Sequence, residues 1–259
     1  MRMTIGLAVT CALSLTATTA LAQPEPSPSP VSWELKFEPT PPDRIQVDLG
    51  KGPQTFWYML YTVTNDTGQD IDFHPTIVRV NETESEATAE QAKAQPAKAP
   101  TITVDPAIVG LQSKVYEAIK ERHKRTHPFL KTPVDAIGKL LQGKDNARTS
   151  VIVFPDLDPK VSKFTIYVTG LSGETKTMPN PAYNPKAGGS DTKKPAAEKK
   201  TGDGEKKAGA AAPGAPDDEK NPQFFVLRKT LAFQYTMPGD PATRKTATPK
   251  LDRMTWVMR

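Results

Sequence analysis

Hydrophobic and polar residues alternate along most of this chain with the period of two that marks β-strands. Val31, Trp33, Leu35 and Phe37 fall on one face of the first such segment, with Ser32, Glu34, Lys36 and Glu38 on the other. Ile45, Val47 and Leu49 repeat the pattern after the turn residues Pro41-Pro42-Asp43. Phe56–Val63 departs from it by being apolar on both faces: Trp57, Met59, Tyr61 and Val63 on one, Phe56, Tyr58 and Leu60 on the other. A strand covered on both sides is central, so something other than an opposing sheet must lie over its second face. Asn65-Asp66-Thr67-Gly68 predicts a hairpin turn. The strand expected next, Ile71–Val80, loses its alternation at Pro75, which predicts a bulge or an edge there. Later strands are expected at Thr149–Phe154, Lys163–Thr169, Phe224–Tyr235 and Leu251–Met258.

Between the early and late strands the period changes to that of a helix. Asp105-Pro106 has the form of an N-cap followed by proline at the first helical position. Ile108, Leu111, Val115, Ala118 and Ile119 then make one apolar stripe, and Pro128 limits its extent. Thr132-Pro133-Val134-Asp135 resembles a capping box. It predicts a second helix with Val134, Ile137, Leu140 and Leu141 inward and Gly143 at its end. These helices, an insertion over residues 105–143, are expected to cover the Phe56, Tyr58, Leu60 face.

Three stretches do not read as core. Residues 23–30, QPEPSPSP, form a proline-rich spacer. Residues 82–100 carry no large apolar side chain and read as a flexible loop. Residues 186–220 contain no aromatic, Leu, Ile or Val and nearly balance their charges, so they are expected to be a disordered insertion. Residues 31–259 then form a single domain. About seven strands with turns and long connections read as a sandwich.

The run Tyr61-Thr62-Val63-Thr64-Asn65-Asp66-Thr67-Gly68-Gln69-Asp70-Ile71 resembles the strand–turn–strand of immunoglobulin-like modules in bacterial exported proteins. Val151–Asp156 and Phe164–Leu171 are similar to the closing strands of such modules. The resemblance implies a mainly β, immunoglobulin-like β-sandwich carrying the two-helix insertion and the long loops. It implies no activity, since this architecture hosts many roles.

The N-terminus changes the picture of where the chain works. One positive charge precedes an uncharged, mostly apolar run from Ile5 to Ala17. Ala20 and Ala22 then occupy the two small-residue positions that a signal peptidase needs, so residues 1–22 read as a signal peptide. The run is short for a membrane span. A secreted or periplasmic protein is expected, with no transmembrane segment after cleavage. The only cysteine, Cys11, lies in the signal and lacks the flanking residues of a lipidation site, so the mature chain has no thiol. The formal net charge of +5 is mild and nearly as many acids as bases are present, which does not point to nucleic acid.

Candidate chemistry is sparse. His123 and His127 have the spacing of two metal ligands on a helix face. Arg122, Lys124 and Arg125 between and beside them oppose a dication, and a solvated basic helix end is the ordinary reading. Asp66, Asp70 and Asp72, and separately Asp156 and Asp158, could attract calcium or act as paired carboxylates. Turn formation explains both groups. Asn65 and Asn81 head glycosylation sequons, relevant only in a eukaryotic secretory pathway. Trp33, Trp57, Trp256, Tyr58 and Tyr61 could form a carbohydrate platform; strand spacing more often makes such residues core, and Tyr58, Tyr167 and Trp256 are the positions that could face outward. No nucleophile elbow or glycine-rich phosphate loop occurs. No cofactor or metal is expected. The candidate ligand surface comprises Arg122, His123, Lys124, Arg125, His127, Tyr58, Tyr167 and Trp256. It would face an anionic envelope polymer or another envelope protein. The expected function is a non-enzymatic binding or structural module. The alternative is a hydrolase of an envelope polymer, sited between helices and sandwich, with Asp156, Asp158, His123 or His127 and a serine in one cleft.

Overall fold

The computed structural model describes residues 24–83, 100–110, 113–184 and 222–259. The expected signal peptide with Ala20 and Ala22, most of the 82–100 loop, Leu111 and the 186–220 insertion lie outside the described residues. The fold is mainly β and its sheets are antiparallel.

The first sheet is built on the two-faced segment. Strand β3 (Pro53–Thr64) pairs through its C-terminal residues with β1 (Lys36–Pro39), through its N-terminal half with β2 (Asp43–Asp48), and with β8 (Arg148–Pro155). Pro41 and Pro42, which have no amide N–H, interrupt what would otherwise be one strand β1–β2. Thr40 bridges the gap, its amide donating to the Leu60 carbonyl at 2.8 Å and its hydroxyl accepting from the Leu60 amide at 3.1 Å.

Asn65 does not begin a hairpin. It is buried, and its side-chain amide donates to the carbonyls of Gln69 and Leu140, both at 2.8 Å. That pins the turn beside β7 (Gly138–Leu140), so β4 (Ile71–Phe73) pairs with β7 and not with β3. Pro75 is the crossing point to the second sheet, where β5 (Thr76–Thr83) lies, rather than a bulge in one strand. Residues 82–83 therefore belong to a strand and not to a loop.

The second sheet joins β5 to β6 (Thr101–Pro106) and to β9 (Val161–Thr169), and β9 to β11 (Phe224–Thr236). The first five residues of β11 pair with β10 (Thr175–Pro179), and its remainder also pairs with β12 (Lys250–Met258). Asp105-Pro106 thus ends a strand and caps no helix. The inward faces of both sheets share one core, with Trp57, Met59, Tyr61, Val63, Ile152 and Phe154 meeting Phe164, Ile166, Val168, Leu231, Phe233 and Tyr235.

One helix of more than a single turn forms among the described residues, α1 (Ser113–His123). At eleven residues it is too short to be stable alone. Val115 and Ile119 hold it, buried on the outer face of the first sheet against Ile45, Tyr58, Leu60, Val151, Val153 and Leu130. Each such side chain contributes about 1.5–3 kcal/mol on burial. This is the face that required a cover. The second expected helix stops after one turn. Thr132 does cap it, its hydroxyl accepting from the Asp135 amide at 3.1 Å. Gly138 then turns with φ 101 into β7, and Arg148 takes up the carbonyls of Ala136, Ile137 and Gly138.

The proline-rich segment is held rather than free. The Ser27 amide donates to Glu174 Oε1 at 2.9 Å, and Lys176 donates to the Glu25 carbonyl. Burial would raise the Glu174 carboxyl, but the Ser27 contacts and Lys229, 3.4 Å away, outweigh it and hold it below the usual range. Among the described residues no helix is long and apolar enough to cross a membrane.

Candidate functional site

Six of the eight candidate surface residues meet at the C-terminal end of α1. Tyr58 is the hub. Its ring is buried under the helix, and its hydroxyl lies 2.8 Å from His123 Nε2, 3.1 Å from Asp43 Oδ2 and 3.2 Å from Arg122 Nη1. One protonation pattern satisfies all three contacts. His123 in the Nε2–H form and Arg122 both donate to the phenol oxygen, and the phenol donates to Asp43. Arg122 also donates to Asp43 at 3.2 Å and to the Arg44 carbonyl at 2.7 Å. The cluster therefore clamps the helix end to β2 and β3.

The local charges follow from this packing. Burial raises the Tyr58 phenol, against the opposing pull of Arg122, so it keeps its proton. Burial first, then His127 and Arg122, lower the His123 imidazole from its usual value, with Asp43 acting the other way. His123 is thus neutral at pH 7, its ring edge-on to His127 with centroids 6.0 Å apart. Lys124 and Arg125 project into solvent beyond the clamp.

A depressed imidazole makes folding pH-dependent with a definite sign. The unfolded chain binds a proton at His123 near pH 6.5 and the folded chain does so only at lower pH, so the stabilisation is complete above 6.5 and is lost progressively as pH falls from there through the lower folded value. Between pH 7 and 5 the melting temperature of the native chain is expected to fall more steeply than that of His123→Gln, as followed by circular dichroism. Parallel curves would rule out His123 as the titrating group.

The other two candidates lie elsewhere. Tyr167 is on the outer face of the second sheet beneath Arg259, whose guanidinium is 4.2 Å from the ring centroid. Trp256 turns inward, packs against the main core and carries Lys229 at 5.1 Å. Sequence reasoning missed Asp43 and Arg44, which start β2 after two prolines and carry no periodic signal of their own.

A separate cleft of about 280 Å³ contains Asp156 and Asp158 together with Arg44, Arg244, Lys245 and the Trp57 ring. Both aspartates use one oxygen to hold their own turn, accepting from the amides of Leu157 and Lys160 at 2.8 Å. Neither His123 nor His127 lines this cleft, and no serine does. The constellation required for the hydrolase alternative is not assembled there. Nor do three His, Cys, Asp or Glu side chains gather for a metal among the described residues. Asn65 and Asn81, the sequon residues, are both buried with their amide nitrogens already donating, which removes them as glycosylation acceptors.

No protein family matches this chain, and no curated protein or solved structure matches it.

Proposed function

We propose that this protein is an exported, non-enzymatic binding or structural module of the cell envelope, built on an immunoglobulin-like β-sandwich. Its binding end is the C-terminus of α1, and its partner is an anionic envelope polymer. The observation that carries this reading is the clamp: Tyr58, Asp43 and Arg122 fix a helix end from which Lys124 and Arg125 point into solvent. Preorganised cations of this kind attract a polyanion without the ordering cost that a flexible tail would add. Removal of residues 1–22 would leave a chain beginning at Gln23, which N-terminal mass spectrometry of exported material reads directly.

Sodium polyphosphate serves as the probe polymer. Fluorescence anisotropy of the labelled polymer is expected to report binding that weakens with added salt, because exposed charges are screened within about 10 Å at 0.1 M. The double substitution Lys124→Glu with Arg125→Glu should weaken it strongly while leaving the melting temperature near the native value. Equal binding by the native and doubly substituted chains would sink the reading.

A further inference from the structure

We propose that the tip following α1, residues 124–131, seats on an anionic lipid bilayer. Phe129 enters the boundary between headgroups and acyl chains, and Lys124, Arg125 and Lys131 meet the lipid phosphates. The inference shares its cations with the binding end described above and adds an apolar contact that a soluble polymer would not use.

Phe129 is 86 % exposed, more than any other large apolar side chain among the described residues. It is not carried on a slack loop. The His127 amide donates to the His123 carbonyl at 2.7 Å and the Leu130 amide to the His127 carbonyl at 3.3 Å. Leu130, the next residue, is buried against the helix and sheet, and the Tyr116 hydroxyl holds its carbonyl. Pro128 fixes the backbone on the other side. The chain thus spends ordered structure on keeping a phenyl ring in water, directly beside a leucine that it buries.

The surroundings of the ring supply the second half of the argument. Residues 120–131 hold five cations, Lys120, Arg122, Lys124, Arg125 and Lys131, against the single acid Glu121, which pairs with Lys124. Arg125 and Lys131 flank the ring in sequence, are exposed, and form no ion pair with another described residue. A rigid, exposed aromatic within a run of five cations and one acid matches an interface that is anionic at its surface and apolar a few ångströms beneath. A soluble polyanion would use the cations and leave the ring in water.

The test reads residue 129 itself, so attachment of any other part of the chain cannot mimic it. The full chain carrying Phe129→Trp is mixed with vesicles of phosphatidylglycerol and phosphatidylcholine whose acyl chains are brominated. Emission from the added indole, taken as the difference from the native chain, is expected to be quenched, and vesicles of phosphatidylcholine alone should give no quenching. Phe129→Ala should weaken vesicle affinity roughly 10- to 100-fold, the range for withdrawing an aromatic side chain from water. It should leave polyphosphate binding and the melting temperature unchanged. An unquenched indole overturns the inference, whether or not the chain sediments with the vesicles, and is the outcome expected if the ring instead fits a protein pocket. Polyphosphate binding without quenching leaves the polymer reading standing alone. Quenching without polyphosphate binding removes the polymer reading and keeps the bilayer one.

Discussion

Asp105→Ala is expected to cost about 3 kcal/mol of folding stability, a large loss for a side chain at the end of an edge strand. The reason is Arg79. Its side chain is 2 % exposed and points from β5 into the core between the sheets, with the guanidinium 5.1 Å from the centre of the Phe154 ring. Asp105 Oδ2 accepts from Arg79 Nη2 at 2.7 Å and from the Asn81 amide at 2.7 Å. The carbonyls of Pro155 and Asp156 add weaker contacts at 3.1 and 3.4 Å. Burial lowers the Arg79 pKa, and Asp105 opposes that shift most strongly. Removing one partner of a buried pair leaves an uncompensated charge, which typically costs about 3–5 kcal/mol. The lower end applies because the Asp105 side chain is 28 % exposed and water can reach the vacancy. Replacing both members, Arg79→Met with Asp105→Leu, should recover most of the loss, because the core then contains no charge to compensate. Urea denaturation of Arg79→Met, Asp105→Leu and the double variant forms the cycle, with Asp105→Ala measured beside it. An Asp105→Ala loss below about 1 kcal/mol would mean that the two carbonyls alone satisfy Arg79.

The same residue shows which parts of the fold were legible in the sequence. Asp105-Pro106 has the local form of a helix start, yet Arg79 and Asn81 on β5 face inward and need polar partners. Only a strand at 101–106 delivers Asp105 and Thr103 to them. That demand is non-local, and no window of sequence displays it. Thr132 makes the hydrogen bond of a capping box, yet only a turn follows where a helix is expected, because Leu140 is buried in the main core on β7. The two-faced pattern of Phe56–Val63 was informative because it counts faces rather than neighbours. It predicted a cover over Tyr58 and Leu60, and α1 supplies one. At the candidate site the basic run was visible as a run. Its fixation was not, because the Tyr58–His123 contact joins residues far apart in the chain. Phe129 carries no signal of its exposure, since it lies between Pro128 and Leu130 outside any run of period two or 3.6.

Cutting the chain after Asn184 is expected to abolish cooperative folding, whereas exchanging residues 185–221 for a short Gly-Ser loop should leave the protein as stable or more so. The two outcomes differ because of where β11 lies. It pairs with β9, β10 and β12, and its Leu231, Phe233 and Tyr235 fill the space between the sheets. Tyr235 stacks on Phe164 with ring centroids 5.1 Å apart, and Phe233 lies 6.0 Å from Phe37 of the other sheet. With the buried Met237 and Met258, five large side chains leave the core on truncation. At about 1.5–3 kcal/mol each, they contribute about 8–15 kcal/mol, as much as the entire stability of an ordinary domain. Phe164, Ile166 and Val168 would lose their cover at the same time. Residues 185–221, by contrast, contain no large apolar side chain and join the neighbouring strands β10 and β11. The hairpin stem closes without them: the Asn180 amide donates to the Gln223 carbonyl at 2.9 Å, and the Asn180 side chain to the Pro222 carbonyl at 2.8 Å. Shortening that connection to about a quarter of its length lowers the closure entropy by about 1.2 kcal/mol, at about 0.6 kcal/mol per halving. Thermal unfolding of both variants, followed by circular dichroism and tryptophan fluorescence, decides the matter. A sharp, coincident transition from the chain ending at Asn184 would show that β11 and β12 are dispensable to the core and belong to a separate folding unit.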